Sequence, residues 1–537
     1  YLREECIRSQ HTVINSLTYS IYFAKLKRMD EVKVTTLSLS DGAGEHTPLI
    51  VSSEVSKNMY RPRYNHHLPL SLKAAYALGH VFNDISAAMW FSYMLLFLQM
   101  VLGMSPVLSG AMLLIGQLTD GVCTPIVGIM ADRIGSRKAW HILGSVVVLL
   151  SFPLLFAPCP GCRNMNPDSM SWLMAVYYAA LIIVFQAGWA IVQISHLALI
   201  PDLAPTQQGR AELTAIRYTA SVCSGVAVYV ITWCVFHATK GTGLDKVGPD
   251  DEFKFRDVVL IGMAVGITTN GLFHFGLRKI NTHTVQSLII EQDPPTMSRL
   301  CNYLHSPALF QVAVLYVTSR LFLTISLVYM PLYLNESVNE GEELLASVPF
   351  VCYLSSFIAS IGVRYLNRMY GSKLGYLCGA VISISGCVWI QYGMAQHLIF
   401  SIYGVAVLLG AGSSVTMVTS LCITADLIGS HTENGAFIYS VVTFADKVLN
   451  GVAVMIIEDV KCATSGSCPH YYRDVIAYVC GGSAVLGLIV LTSLYSANIG
   501  NRQRTASDIL GRNFVSSDRA QNEIKLLCGF TNGIKRS

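Results

Sequence analysis

The sequence has few charged residues and lacks the motifs that most enzymes carry. Only 13% of its 537 residues are Asp, Glu, Lys or Arg, whereas a soluble protein of this size carries about 25%. No nucleophile–base pair, Gly-rich phosphate loop or metal-spaced His and Cys cluster stands out. We therefore expect no enzyme activity, no cofactor and no metal. The formal net charge of +4 is small, and we expect no nucleic-acid partner.

Apolar residues make up 53% of the chain and are grouped in long runs. A helix needs about 20 such residues to cross a bilayer. The pattern predicts an all-α membrane protein with twelve transmembrane helices, near residues 74–100, 107–130, 140–158, 171–199, 213–237, 257–277, 307–334, 344–366, 374–394, 397–425, 434–457 and 474–497. The cysteines lie mostly inside these segments and are typical of small core residues.

The distribution of Lys and Arg predicts the orientation of the helices. Basic residues follow predicted helices 2, 6 and 8, whereas loops 1–2, 7–8 and 9–10 carry none. Short loops rich in Lys and Arg face the cytosol. Loop 5–6 is an exception, with four basic residues that five acids offset. We therefore expect both termini to be cytosolic.

Two halves of the chain repeat weakly. Gly188 precedes Asp202 by 14 residues, and Gly412 precedes Asp426 by the same interval, at an offset of 224 residues. Duplicated six-helix halves around a midplane site are a transporter arrangement. We predict an N-terminal half at 68–278, a cytosolic linker at 279–306 and a C-terminal half at 307–497. Residues 1–67 and 498–537 are expected to be cytosolic, disordered tails, and 1–28, which precede the first Met, are candidate upstream sequence.

The connection between predicted helices 2 and 3 carries a recognisable motif. Gln117–Lys138 joins an apolar segment holding Asp120 to a tight polar loop. This loop resembles the signature of the major facilitator superfamily between its second and third helices, which implies the fold of that superfamily. The resemblance implies a gating loop formed by Gly128, Asp132, Arg133, Gly135, Arg137 and Lys138.

Ionisable or strongly polar residues inside the predicted helices are few. They are His80, Asn83, Asp84, Gln117, Asp120, Gln186, Gln193, His196, Arg217, Arg320, Asp446, Lys447 and Asn450. An unpaired charge in hydrocarbon is costly, so we expect the charged ones to face a shared cavity and to neutralise one another. Asp446 and Lys447 point about 100° apart on a helix and need different partners. A substrate or ion pathway is favoured over pairs that only join helices.

Helices 1 to 5 and 11 also resemble the glycoside–pentoside–hexuronide:cation symporters, the melibiose carrier family. Asp84, beside Asn83, and Asp120 match acids of that family, and Arg217 and Lys447 match its bases. Two departures stand at Thr124 and Gln193, where the family has further acids. Because hard cations need several oxygen ligands, this departure puts sodium coupling in doubt. A proton needs only one carboxylate.

A closer resemblance covers residues 69–497. The strings Gly79–Asp84, Arg137–His141, Phe185–Trp189, Gln193–His196, Leu409–Gly412 and Thr424–Gly429 look like the major facilitator family of lysosomes and melanosomes. That family is required for cysteine import into those organelles and influences pigmentation. The resemblance implies a lysosomal or melanosomal membrane protein that moves cysteine, or a similar small zwitterion, from cytosol to lumen, with proton coupling permitted.

Two other functions stay open. The wider family suggests a sugar or glycoside:cation symporter, and a non-transporting receptor of the organelle membrane would have its cavity blocked by mutually satisfied ion pairs. For the transporter, the expected partners are a small-molecule substrate, a coupling proton, the lipid bilayer and sorting adaptors. We expect a monomer.

Short motifs outside the helices complete the predictions. Glu45, Leu49 and Ile50 resemble an acidic dileucine signal that cytosolic adaptors read, although such a motif in a disordered tail also arises by chance. Two lumenal cysteine pairs, Cys159 with Cys162 and Cys462 with Cys468, favour disulfides over a metal site because too few histidines accompany them. The connectivity is left open.

Overall fold

A computed structural model describes most of the membrane region of the chain. The described residues are 68–133, 136–160, 167–204, 207–239, 246–278, 307–337, 343–393, 398–428, 432–463 and 470–494. The predicted sorting signal at Glu45, Leu49 and Ile50, the predicted linker and both predicted tails lie outside them.

The N-terminal half consists of six helices. They are α1 (Leu70–Val101), α2 (Pro106–Arg133), α3 (Arg137–Leu155), α4 (Pro167–Leu203), α5 (Gln207–Ala238) and α6 (Glu252–Gly276). α1 is broken at Gly79 and His80, and its last residues, Phe97–Val101, form a π-helical turn. A single 3₁₀ turn, Pro249–Asp251, leads into α6.

The C-terminal half also consists of six helices. They are α7 (Pro307–Ser337), α8 (Leu344–Tyr370), α9 (Ser372–Tyr392), α10 (Leu398–Ile428), α11 (Thr432–Ala463) and α12 (Tyr471–Leu494). α12 contains a π-helical segment at Val475–Cys480. Together the described residues form an all-α bundle of two six-helix halves, as predicted.

The lengths and compositions of these helices suit a bilayer. Within the described ranges, 11 helices are long and apolar enough to cross a membrane. α11 has a similar length, 32 residues, but carries more charge, with Asp446, Lys447, Glu458, Asp459 and Lys461 along it. Each of the 11 apolar helices contains an 18-residue window with at most two charged residues, and many exposed side chains are large and apolar, which suits contact with lipid tails.

Two glycines permit tight connections between helices. Gly103, in the turn from α1 to α2, has φ +66°. Gly371 alone separates α8 from α9 and has φ +89°. A side chain at either position would meet the carbonyl group of its own backbone, so only glycine adopts these angles without strain.

Within the described residues, the two halves share a hydrophobic core at one end of the bundle only. We call this end, which contains the α1–α2 connection, the predicted lumenal end, and the opposite end the predicted cytosolic end. One large buried cluster at the predicted lumenal end includes residues from both halves, among them Tyr93, Phe255, Tyr329 and Tyr472. At the predicted cytosolic end, the described residues form separate clusters for each half. The described helices are therefore packed shut at the predicted lumenal end.

Three helix boundaries differ from the sequence prediction by five residues or more. α5 begins at Gln207 rather than 213. α6 begins at Glu252 rather than 257, because Lys254 packs into its first turn, pairs with Asp251 at 2.9 Å and becomes buried. α11 continues to Ala463 rather than ending at 457. The polar residues after 457 predict a loop, but Glu458 is fully buried inside the bundle.

Candidate functional site

An ion pair joins the two halves at the middle of the bundle. Lys447 Nζ of α11 lies 2.5 Å from Asp120 Oδ2 of α2. Thr124 donates a hydrogen bond of 3.0 Å to the other carboxylate oxygen of Asp120, one helical turn away. Asp120 and Thr124 are buried, and the Lys447 side chain is 15% exposed. Asp120 therefore has a cation and a hydroxyl as partners inside the protein.

A second ion pair lies beside the first. Arg320 Nε of α7 is 3.2 Å from Asp446 Oδ2 of α11. Asn450 donates from Nδ2 to the other oxygen of Asp446 at 2.6 Å. Asp446 and Lys447 are neighbours that face different helices, so each has its own partner, as their 100° separation requires. Asp120 interacts electrostatically with both Arg320 and Asp446. We call these six residues the central charge cluster; they are Asp120, Thr124, Arg320, Asp446, Lys447 and Asn450.

A third charged group lies within the N-terminal half, where α1 is broken. His80 Nδ1 lies 2.9 Å from Asp84 Oδ2, and Arg217 Nη2 of α5 lies 2.9 Å from His80 Nε2. Nε2 of a neutral imidazole can accept from the guanidinium, whereas Nδ1 and Asp84 Oδ2 lie within ion-pair distance only, since Asp84 Oδ2 makes no hydrogen bond among the described residues. Arg217 is 1% exposed and Asp84 7%. His80 thus links a buried cation to a buried carboxylate. We call these three residues the His80 relay.

Buried polar groups beside the His80 relay lack hydrogen-bond partners. Both side-chain polar atoms of Asn83, which is fully buried, make no hydrogen bond within the described residues. His196 of α4 donates from Nε2 to the Tyr76 carbonyl oxygen at 2.9 Å, but its Nδ1 has no partner in the same ranges. Gln193, one turn earlier on α4, is also buried. Because a buried polar group without a hydrogen bond is costly, the Asn83 amide and His196 Nδ1 are suited to hydrogen-bond a polar solute.

The predicted gating loop is shorter in the structure than in the sequence prediction. Gly128 lies within α2, and that helix extends to Arg133, while α3 begins at Arg137. Gly135 and the side chains of Asp132 and Arg133 lie outside the described residues. Asp132 and Arg133 form the end of α2, and Arg137 and Lys138 form the start of α3. Polar residues are compatible with helix ends, because the terminal backbone groups there lie near solvent, so both helices extend into the motif.

The two basic residues at the start of α3 are anchored to other helices. Arg137 Nη1 lies 2.7 Å from Asp202 Oδ2 and donates to the Ala198 carbonyl oxygen at 2.6 Å, both at the end of α4. Lys138 Nζ donates to the Leu277 carbonyl oxygen at 2.6 Å, at the end of α6. These contacts hold α3, α4 and α6 together at the predicted cytosolic end.

Several buried polar residues were not selected from the sequence. His141 of α3 is fully buried, lies 3.2 Å from His274 of α6 and 2.9 Å from the Gly79 carbonyl oxygen. An imidazole ring with two polar nitrogens needs hydrogen-bond partners inside an apolar segment. The position of His141 in such a segment therefore marks it as a candidate site residue. Glu458 gave no such signal, since it fell one residue outside the predicted helix.

Of the four cysteines predicted to form disulfides, the structure describes the side chain of Cys159. Cys159 is disulfide-bonded. Cys162, Cys468 and the side chain of Cys462 lie outside the described residues, so the pairing of these cysteines stays a prediction. No group of three or more His, Cys, Asp or Glu side chains that could hold a metal ion occurs within the described ranges.

Known proteins resemble the chain over most of its length. A model of the family described as MFS/sugar transport protein matches residues 75–458. The chain is 39% identical over 468 residues to Major facilitator superfamily domain-containing protein 12 of Mus musculus, covering 82% of this chain and 96% of that protein. Its identity to the Homo sapiens protein of the same name is 38% over 454 residues, covering 79% and 94%.

The arrangement of the helices also resembles solved transporters. A bacterial homologue of the human drug peptide transporters PepT1 and PepT2 superposes with a TM-score of 0.59, covering 81% of this chain and 99% of that one. The two sequences are 13% identical, so the likeness concerns the fold alone. The chain therefore belongs to the MFS/sugar transport protein family and is a multi-pass membrane transporter of the major facilitator superfamily, not an enzyme.

Proposed function

We propose that this transporter moves cysteine, or a similar small zwitterion, from the cytosol into the lumen of lysosomes or melanosomes by alternating access. The observation that carries the proposal is the burial of charges of both signs in both halves of the bundle. Asp84, Asp120, Arg217 and Lys447 are turned towards the protein interior rather than towards lipid. Intramembrane ionisable residues mark substrate or ion pathways by default.

Charge matching supports a zwitterionic substrate. A zwitterion presents one carboxylate and one ammonium group, which need a cation and an anion at separate points. Arg217 or Lys447 suits the substrate carboxylate, because each cation lies inside the bundle. Arg217 contacts the His80 imidazole, and Lys447 contacts the Asp120 carboxylate. Asp84 or Asp120 suits the ammonium group or a proton. The unpartnered amide of Asn83 next to Asp84 supplies a further donor and acceptor for the substrate.

The uneven packing of the halves supports alternating access. The shared core at the predicted lumenal end leaves entry to the predicted cytosolic end, where each half has its own apolar clusters. The Asp120–Lys447 pair crosses between the halves. A substrate that competes for either partner would weaken this link and favour rearrangement of the halves. The halves at 68–278 and 307–497 would then move as bodies joined by the linker at 279–306.

Proton coupling fits the remaining acids better than sodium coupling. The melibiose carrier family's two further acids are replaced here by Thr124 and Gln193. Thr124 donates a hydrogen bond to Asp120, so it adds no negative charge to the site. A hard cation would find too few anionic oxygens, whereas a proton needs one carboxylate.

We also propose where the protein works in the cell. The resemblance to the family of lysosomes and melanosomes supports residence in those membranes, with both termini cytosolic. Glu45, Leu49 and Ile50 would then face the cytosolic adaptors that sort proteins to these organelles. We propose that a single chain contains the complete pathway and acts as a monomer, with a small-molecule substrate and a coupling proton as its ligands.

Uptake of labelled cysteine by isolated organelles, with and without a pH gradient, tests the proposal. Organelles that carry Asp120→Asn or Arg217→Ala should lose most of their cysteine uptake. Asp257→Asn and Arg256→Ala are matched controls, because this pair lies exposed on α6 at 3.1 Å. Normal uptake by both site variants, at equal protein levels, would overturn the assignment of these residues.

A sugar or glycoside:cation symporter is the second candidate. The family description, MFS/sugar transport protein, favours it. Competition separates the two candidates: unlabelled cysteine should suppress uptake through this protein, and hexosides should not. The opposite result would favour the sugar symporter. Purified protein in liposomes that moves neither class of solute would favour a non-transporting receptor, in which the ion pairs of the central charge cluster only join helices.

A further inference from the structure

A buried acid outside the central charge cluster lies at the predicted lumenal end. Glu458 of α11 is 0% exposed. Its aliphatic part packs against Gly110 of α2, where an added Cβ would approach the Cβ and Cγ of Glu458 to 3.1 and 3.2 Å. α2 belongs to the N-terminal half and α11 to the C-terminal half. Glu458 is therefore enclosed at the contact between the two halves.

A hydrogen-bond network connects Glu458 to helices of both halves. Gln99 of α1 donates from Nε2 to Glu458 Oε2 at 2.8 Å. The Tyr472 hydroxyl of α12 donates to Gln99 Oε1 at 2.6 Å and lies 3.4 Å from Glu458 Oε2. The other carboxyl oxygen, Glu458 Oε1, is buried and makes no hydrogen bond within the described residues. Glu458 Oε2 thus accepts a hydrogen bond from Gln99, and the Tyr329 and Tyr472 hydroxyls are further donors to the carboxyl group.

Of the described titratable groups around Glu458, only Lys461 attracts a negative charge on the carboxyl group. Tyr329 and Glu336 of α7 and Tyr472 of α12 are titratable groups that face this network, and none of them is a cation. Helices α1 and α2 contribute Gln99 and Gly110, which do not titrate. Lys461, on α11 itself, faces the network, but its Nζ lies over the Tyr472 ring, 3.9 Å from the centroid. No ion pair to Glu458 forms among the described residues.

An ionised carboxyl group in this position would be costly. Burying a charge without a paired and hydrogen-bonded partner is unfavourable by several kcal/mol. A proton on the carboxyl group removes the charge and leaves the Gln99 hydrogen bond intact. When the predicted lumenal end opens, water can solvate the carboxylate, and this penalty disappears. The closed arrangement consequently favours the protonated form, and the open arrangement favours the ionised form.

We propose that Glu458 is a proton-binding site at the predicted lumenal end, and that binding of its proton stabilises the closed contact between the two halves. One proton from the adjacent water adds to a carboxylate oxygen on closure and returns to that water on opening. By linkage, lowering the pH shifts the protein towards the closed arrangement, because the closed form binds more protons. The site does not depend on which substrate is carried.

Hydrogen–deuterium exchange of the full-length protein in lipid nanodiscs, over a series of pH values, tests this site without any substrate. The segments to follow are Phe97–Val101 and Tyr471–Cys480. After correction for intrinsic exchange, their opening constant should fall as the pH falls, by up to about tenfold per pH unit, the limit for one proton. Glu458→Gln, which resembles the protonated acid, should keep both segments protected at every pH. Asp459→Asn removes the same charge from an exposed neighbour and should behave like the wild type.

Infrared difference spectra between low and high pH give a second measurement that does not require the variants to be equally stable. Relative to the wild type, Glu458→Gln should lose one component of the carbonyl-stretch band of protonated carboxylic acids, at the high frequency of a buried carboxyl group with few hydrogen bonds. Asp459→Asn should keep that component, and the components of the other carboxyl groups should remain in all three proteins. The proposal is overturned if Glu458→Gln keeps the pH dependence of exchange, if the wild type shows no pH dependence, or if the infrared spectrum of Glu458→Gln keeps every component of the wild-type carboxylic-acid band. These outcomes leave the cysteine assignment unaffected, since no transport is measured.

Discussion

The ion pair between Asp120 and Lys447 should be strongly coupled in stability. Its atoms are 2.5 Å apart, and its side chains are 9% and 15% exposed. Two unit charges about 4 Å apart at an effective dielectric constant near 20 attract by about 4 kcal/mol. Removing one partner of a buried pair costs about 3–5 kcal/mol, because the remaining charge stays buried alone.

We expect a characteristic pattern across a double-mutant cycle. Lys447→Gln should lower the free energy of unfolding by about 3–5 kcal/mol, since it leaves the Asp120 carboxylate with only Thr124 as a hydrogen-bond partner. Asp120→Asn should have a similar effect, because it leaves Lys447 charged. The double variant should recover most of the loss, because neither buried charge remains. The coupling energy, which is the sum of the two single losses minus the loss in the double variant, should therefore exceed about 3 kcal/mol.

The measurement is reversible unfolding of the full-length protein in detergent micelles by chemical denaturant. Arg256 and Asp257 provide the control, as an ion pair of 3.1 Å whose side chains are 52% and 40% exposed. The coupling energy of that pair should stay below about 1 kcal/mol. If the two cycles give equally small coupling energies, Asp120 and Lys447 do not form a buried pair, and the reasoning about the central charge cluster fails.

Two further predictions concern helix contacts. Gly410→Ala should reduce the thermal stability sharply, measured by size-exclusion chromatography after heating, because its Cβ would lie 2.1 Å from the Cys352 carbonyl oxygen. Gly128→Ala should leave the thermal stability unchanged, since nothing lies within 4 Å of its Cβ. Equal stability of the two variants would contradict the helix packing. Tyr93→Phe removes the 3.1 Å hydrogen bond from the hydroxyl to the Leu345 carbonyl oxygen, which joins α1 to α8. Because one such bond contributes about 1 kcal/mol, hydrogen exchange at the start of α8 should become about fivefold faster. Unchanged exchange there would show that this contact does not hold the end closed.

The sequence was sufficient for the helical architecture and for most of the buried charges. A long apolar run in a bilayer satisfies its backbone hydrogen bonds by forming a helix. The places of the apolar runs in the sequence therefore predict the approximate positions of the helices. Asp120, Arg217 and Lys447 stood out because charge is rare within such runs. Their pairing was only partly predictable. The angle between Asp446 and Lys447 required different partners, but which helix supplied each partner depended on the packing of the two halves.

Other features depended on tertiary structure that composition does not encode. The sequence pattern does not indicate Glu458 as a buried residue, because the residues after 457 are polar and a polar stretch predicts the end of a helix. Burial at the contact between the halves keeps α11 helical there instead. Likewise, the link that His80 makes between Asp84 and Arg217 requires the break in α1 and the close approach of α5. The sequence showed three polar residues without showing that one imidazole serves both charges.

Uptake of labelled cysteine by purified protein in liposomes tests the central claim most directly. With wild-type protein we expect saturable uptake that unlabelled cysteine competes and hexosides do not, and we expect Arg217→Ala protein to lose it while Arg256→Ala protein retains it. If the wild-type protein moves no cysteine, or if Arg217→Ala protein moves it as fast as the wild type, the buried charges do not form a cysteine pathway.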